Sequence, residues 1–303
     1  MDLGRLRALD AVATYGSVLA AADALHITPS AVSQQLAKLD RETRTRLLER
    51  DGRGLRLTDA GHILAAHAAR VLAAVDEAES ALAAYHQDVT GTITIAAFAT
   101  ACRGLLPRSL AELAAKHPQL ATRIAETNPY EAMDALIRGR ADVVVADDWP
   151  EIGLALPDGV AHVTLGHDRA DLIVPSGHRL AGAPPGPLAR AGGERWIASP
   201  PGTICHDWLM RVLPGVRPDF LVGEFETQQT LVAAGLGVAL IPRLARTHTV
   251  PGTAVVPIDP APTRRVVVAW RKATEVRPAL GATVAALRTA WADRATAPAA
   301  PAV

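Results

Sequence analysis

Read along its apolar positions, the chain falls into three stretches with different periods. Leu6, Leu9, Val12 and Ala13 make a helical stripe over residues 5–16, which Gly16 closes. Ser17 is placed to cap a second helix, VLAAADALH, with Leu19, Ala22 and Leu25 inward. Thr28 is a good N-cap, and Pro29 takes the first helical position, where its missing N–H costs nothing. The helix SAVSQQLAKLDRE then turns Val32, Leu36 and Leu39 to one side. Two short helices joined by a tight turn and packed on a first make a helix-turn-helix. Residues 45–58 place the turn signals Asp51-Gly52 and Arg53-Gly54 between two short apolar stretches, which predicts a small hairpin, the wing.

The second stretch is one long helix. From Thr58 to about Gln87 there is no proline, and Gly61 is the only glycine. Leu64, Ala68, Val71, Val75, Ala78, Leu82 and Tyr85 follow a 4-3-4-3-4-3 spacing. That seam suits a second copy of itself; the alternative is a helix packed on its own domain.

From residue 92 onward strand and helix alternate. Strands are expected at 92–97, 121–126 and 141–146, with helices at 107–117 and 131–138 between them. This βαβαβ order implies a mainly parallel sheet with helices on its faces. A second set follows: strands at 171–175, 194–199, 219–225 and 237–242, with helices at 206–213 and 227–234. A strand at 264–271 and an amphipathic helix at 277–294 close the chain. Val89-Thr90-Gly91 is a hinge candidate, and the tail APAAPAV has the composition of a disordered end.

Composition narrows the function. The 303 residues are 49% hydrophobic, enough for two or three domains, but only 4% aromatic, so the cores are aliphatic. Formal net charge is zero, so contact with nucleic acid has to come from a local basic cluster. Cys102 and Cys205 are too few and too far apart for a disulfide framework or a zinc site, which points to a reducing cytoplasm. Neither a signal peptide nor a membrane span is read in the sequence. No catalytic or phosphate-binding motif is present, so neither an enzyme nor a cofactor is expected.

The run GSVLAAADALHITPSAVSQQLAKLD followed by LLERDGRGLRLTDAG closely resembles the LysR-type transcriptional regulators. LIVPSGHRLAG (172–182) and VAAGLGVALIP (232–242) extend the resemblance into the C-terminal part. It implies an α/β chain of three parts. These are an all-α winged helix-turn-helix (1–58), a long linker and dimerisation helix (59–88), and a two-lobed effector domain (92–303) like a type-2 periplasmic binding protein. Lobe one would comprise 92–161 and 265–296, and lobe two 162–264. The implied function is a sequence-specific regulator controlled by a small molecule held between the lobes. The implied assembly is a dimer through 59–88 and then a homotetramer; RNA polymerase is a further candidate partner. Two departures stand out. Pro29-Ser30 replaces a Gln-Pro or Gln-Ser start of the recognition helix, and Arg44 stands where glycine usually ends it, at a cost of roughly 1 kcal/mol.

The buried stripe of the third helix leaves Ser30, Ser33, Gln34 and Lys38 outward. Gln34 can pair bidentately with adenine, and the helix N-terminus at Thr28, Pro29 and Ser30 can meet a phosphate. Arg53 at the wing tip, and after it Arg50, are candidates for phosphate or minor-groove contact. Two copies held together would read dyad half-sites on double-stranded DNA about one helical turn apart. For the effector, ligands of open α/β sheets bind beyond the carboxyl ends of the strands. That singles out Thr100, Ala101, Cys102 and Arg103 after the first strand, Asn128 after the second and Asp147 at the end of the third. From the second lobe it adds Gly202, Thr203 and Thr227. By family resemblance the Thr100 hydroxyl would hold an effector carboxylate, and with Arg103 it hints at an anionic ligand. Two alternatives stay open: a thiol-based redox regulator using Cys102 and Cys205, and a solute-binding protein.

Overall fold

The computed structural model describes residues 1–51, 54–86, 89–246 and 250–296. Wing-tip Arg53, the side chain of Arg50, the last residues of the linker stretch (87–88) and the tail at 297–303 lie outside the described residues. The chain divides into two compact units, 1–85 and 86–303.

The first unit begins with α1 (Leu3–Tyr15), α2 (Val18–Leu25) and α3 (Pro29–Thr43). Each starts on a side-chain cap: Asp2 accepts from the Gly4 amide, Ser17 from Ala20 and Thr28 from Ala31. Each ends in the left-handed region, at Gly16, at His26 (φ 55°) and at Arg44 (φ 51°). The structure thus keeps the helix end that glycine would favour and places an arginine in it. Strands β1 (Leu48–Asp51) and β2 (Gly54–Leu57) pair antiparallel, with Leu48 opposite Leu57. Helix α4 (Asp59–His86) follows. Leu6, Leu9, Val12, Val32, Leu36, Leu39, Leu47, Ala65 and Ala68 form the core. Leu19, expected inward, is exposed; α2 buries the smaller Ala21 and Ala22 instead. Gly61 has a steric reason. A Cβ there would lie 2.1 Å from the Leu47 carbonyl oxygen, so α4 can start against the hairpin only without a side chain.

Along α4 the seam divides. Ala68 is buried against the three-helix core and Leu64 packs beside it, whereas Val71 and Leu82 are bare, at 44% and 68% exposure. The helix serves its own domain at one end and leaves an apolar edge at the other.

The second unit is built on a seven-stranded sheet. Its first half holds β3 (Gly91–Ala97), β4 (Leu120–Glu126) and β5 (Val143–Asp148) in parallel. Helices α5 (Ala99–Gly104), α6 (Leu106–Lys116) and α7 (Pro129–Ile137) connect them. Strand β6 (Val160–Pro175) then runs through both halves of the unit. Lobe two adds β7 (Trp196–Ala198), α8 (Ile204–Val212), β8 (Pro218–Leu221), α9 (Phe225–Ala233), β9 (Ala239–Pro242) and β10 (Thr253–Val256). The return strand β11 (Thr263–Arg271) pairs with β5 and β6, and α10 (Pro278–Thr296) packs on lobe one.

Several elements differ from expectation. Only 171–175 of β6 was anticipated, although exposed His162 and Thr164 alternate with half-buried Ala161, Val163 and Leu165 in its first half; the polar run 166–169 interrupts that pattern before the apolar end. Strand β6 stays paired with β11 as far as Arg169 and then pairs with β9 and β10. The crossing between lobes therefore falls at 169–170 and 262–263, not at 161–162. The strand expected at 219–225 stops at Leu221, because the Glu224 carboxylate caps α9 by accepting from the Thr227 amide at 2.6 Å. Helix α5 and strand β10 are too short to register as periodicity.

Candidate functional site

On the first unit, Thr28, Pro29, Ser30, Ser33, Gln34 and Lys38 are all exposed. The helix geometry explains this: Val32, Leu36 and Leu39 fill the core, so the positions between them face out. Thr28 Oγ1 lies 2.9 Å from Ser30 Oγ at the start of α3. Ser33 also borders a groove of about 400 Å³ between α3 and the hairpin, with Ala37, Arg46 and Glu49 on its walls. Asp40 is taken up by the Leu47 amide at 3.1 Å, and Arg56 by Glu49 at 2.6 Å. The outward side of α3 thus presents hydroxyls, an amide and an ammonium to solvent.

The second unit contains a cavity of about 210 Å³ where the carboxyl ends of β3, β4 and β5 meet lobe two. Of the nine residues anticipated for an effector, Thr100, Asn128, Asp147 and Thr203 line it. Asn128 caps α7, accepting from the Glu131 amide at 3.0 Å, and Thr203 caps α8. The other five lie elsewhere. Ala101 is fully buried in the lobe-one core. The Cys102 thiol donates to the Ala97 carbonyl at 3.6 Å and packs on the same core. Arg103 is bound to Glu224 and lies 3.6 Å from Glu226, so it ties lobe one to lobe two. Gly202 is a left-handed turn residue at φ 82°, and Thr227 hydrogen-bonds Glu224. The anticipated set spread along one helical turn, 100–103, but a turn that short offers only one side to the cavity.

The residue that sequence reasoning missed is Arg264. It is 1% exposed and forms the floor of the cavity. Its guanidinium donates to Asp147 at 2.9 Å, to Asp168 at 2.9 Å and to the Thr100 hydroxyl at 2.7 Å, and lies 4.9 Å over the Phe98 ring. Burial opposes its charge, but Asp147 and Asp168 outweigh that and push its pKa above the ordinary arginine value. The only sequence signal was two consecutive arginines opening the apolar run RRVVVAW. They point to opposite faces of β11: Arg264 to Asp147, and Arg265 to Asp148 at 2.6 Å.

Both thiols are held in their protonated form. Burial, with Glu126 nearby, pushes Cys102 up to about 11. Burial, with Asp147 4.0 Å from the sulfur, pushes Cys205 up to about 12. They belong to different lobes and different cores. Cys205 lines the cavity, whereas Cys102 turns into the lobe-one core, so the two thiols do not meet across it.

Among the described residues no helix is long and apolar enough to cross a membrane. Residues 3–62 match the model of bacterial regulatory helix-turn-helix proteins of the lysR family, and residues 86–292 that of the LysR substrate binding domain. A regulatory protein of the octopine catabolism and uptake operon from Rhizobium meliloti is 30% identical over 246 residues, covering 80% of each chain. A probable hydrogen peroxide-inducible genes activator from Streptomyces viridosporus is 28% identical, covering 96% of this chain and 95% of that one. A probable RuBisCO transcriptional regulator from Chlorokybus atmophyticus is 32% identical over 176 residues, and this chain spans only 56% of its length. Among solved structures, a full-length OxyR variant from Pseudomonas aeruginosa shares the fold with a TM-score of 0.70 at 24% identity, covering 95% of this chain and 98% of that one. Full-length CbnR complexed with its target DNA shares it with a TM-score of 0.64 at 22% identity, covering 96% and 100%.

Proposed function

Because the chain belongs to the LysR family of DNA-binding transcriptional regulators, we propose that α3 reads operator DNA and that the 210 Å³ cavity receives the effector controlling it. The observation that carries this is the contrast along α3: a buried aliphatic stripe, and an outward side of Thr28, Ser30, Ser33, Gln34 and Lys38. Such a helix presents base-pairing side chains and free N–H groups to a groove. A second copy of the chain, docked along the bare edge at Val71 and Leu82, would set two such helices on dyad half-sites. The CbnR neighbour, solved on its target DNA, supports the same partner here. Binding of effector would change the angle between lobes at 169–170 and 262–263, where two strands cross. The protein acts in the cytoplasm as a regulator and carries out no catalysis. Selection of binding sites from random duplexes should return a dyad sequence for the full-length chain. A chain lacking residues 1–60 should return none; equal enrichment by both would overturn the reading.

The resemblance to peroxide-responsive relatives favours one alternative, sensing by thiols. Two neutral, half-buried or buried cysteines in separate cores argue against it, since the thiolate is the reacting species. Replacing both by serine should leave the effector response of DNA binding unchanged.

A further inference from the structure

Adjoining the 210 Å³ cavity is a second, smaller void of about 20 Å³, walled mostly by buried side chains of lobe two and by Trp149, which follows β5. Ser199, Cys205 and Phe225 line both, so the void is the inner end of the same cleft. A space of roughly 10–15 Å³ is enough to hold one water-sized group.

Three polar side chains around this void are incompletely bonded. Trp149 is 1% exposed, and among the described residues its indole N–H has no hydrogen-bond partner, although the Cys205 sulfur, a weak acceptor, is close. The Gln228 amide donates to the Val222 carbonyl at 2.6 Å and to Ser199 Oγ at 3.4 Å, and its own carbonyl oxygen accepts from no described residue. Ser199 takes that bond, and its proton goes to no described acceptor. Thr127 and Thr203, on the larger cavity, have by contrast given their protons to Glu131 and to the Pro200 carbonyl. A buried donor without an acceptor forfeits its hydration unrepaid, so a group is expected to meet it. The unspent set is two donors, the Trp149 N–H and the Ser199 O–H, and one acceptor, the Gln228 carbonyl. A ligand carbonyl would satisfy the donors and leave Gln228 bare. An ammonium would do the reverse, and a methyl group would satisfy neither. A hydroxyl accepts and donates through one oxygen, and one oxygen is what the void holds.

We propose that the inner void receives a hydroxyl of the effector, an alcohol or phenol whose body fills the larger cavity, and that Trp149, Ser199 and Gln228 select it. The inference rests on the cavity being the effector site, and the test separates the two. Full-length protein is titrated calorimetrically with three pairs that differ by one hydroxyl: 4-hydroxybenzoate and benzoate, tyramine and phenethylamine, 4-hydroxybenzamide and benzamide. The bodies are negative, positive and neutral, so the result does not depend on the charge of the outer end. The same titrations are run on Trp149→Phe and on Gln228→Met, which each remove one bonding group, and on Gly223→Trp, which fills the larger cavity from an exposed glycine on its wall. Thr127→Trp serves as a second blocking variant. At least one pair binds, its hydroxylated member about 10-fold tighter. Trp149→Phe and Gln228→Met bind both members with that preference lost, and both blocked variants bind neither. Equal affinities within every pair, on a native chain that binds where the blocked ones do not, would overturn the hydroxyl subsite and leave the cavity standing. Equal binding to blocked and native chains would remove the cavity as the site, and the proposal with it. A preference unchanged in both Trp149→Phe and Gln228→Met would also overturn it, as would silence from all six probes.

Discussion

The two candidate sites are organised in opposite ways. On α3 the polar side chains face solvent and the helix behind them is held by an aliphatic core. In the cleft, Thr100, Asp147 and Arg264 are all at or below 2% exposure and bonded to one another. The first surface leaves its polar groups to water. The second has its strongest electrostatics turned inward, where they hold α5, β5, β6 and β11 in one arrangement. A charge visible in a binding cleft is therefore not automatically a charge offered to a ligand; its partners decide.

The largest expected effect comes from breaking the inward network. Arg264→Ala leaves Asp147 and Asp168 buried without their shared cation, which should cost about 3–5 kcal/mol in the second unit. Thermal unfolding followed by tryptophan fluorescence checks this directly, since all five tryptophans (Trp149, Trp196, Trp208, Trp270 and Trp291) lie in that unit. A loss below about 1 kcal/mol would mean the cluster is weaker than its geometry implies.

The outward surface should behave in reverse. Gln34→Ala should leave stability unchanged within about 0.5 kcal/mol and lower operator affinity by about 1–3 kcal/mol, with specificity relaxed at one base pair. Fluorescence anisotropy with the selected duplex and its single-base variants measures both. Arg44→Gly should stabilise the first unit by about 0.5–1 kcal/mol, because a side chain at φ 51° is strained where glycine is not. Chemical denaturation of the full chain, monitored by the helical signal of that unit, would show it.

The smallest effect concerns the bridge between lobes. Burial works against the Glu224 charge, but Arg103 and the amides of Glu226 and Thr227 overcome it and hold the carboxyl at about 2. Its pKa is depressed on folding. The bridge therefore contributes fully above the ordinary carboxylate value of 4.5 and is lost as pH falls from there toward 2. Glu224→Gln should flatten the acid limb of the stability profile in that window and lower neutral stability by the same small amount, at most about 1 kcal/mol because the pair is solvent-screened.

How much could be read in advance follows from the range of each interaction. The helix-turn-helix was legible because caps, stripes and turns are set within four residues: Thr28 with Ala31, Pro29 at the first turn, Val32 with Leu36. Strand β6 was half hidden, since its alternation over 161–165 is broken by Gly166, His167, Asp168 and Arg169 before the apolar run begins. The cavity was legible only as a region. Residue order gave strand ends at 97, 126 and 146, close to those of β3, β4 and β5, but not which side chain of 100–103 would face inward.

By itself, then, the chain's order of residues decided the helix-turn-helix and the side that α3 turns outward, because local periodicity and capping act between near neighbours. Only the folded molecule decided the chemistry of the cleft. Arg264 finds Asp168 96 residues away, Asp147 117 away and Thr100 164 away. Pairings across such separations leave no periodic trace in the chain, and it is they that make Arg264 a structural cation at the floor of the cavity.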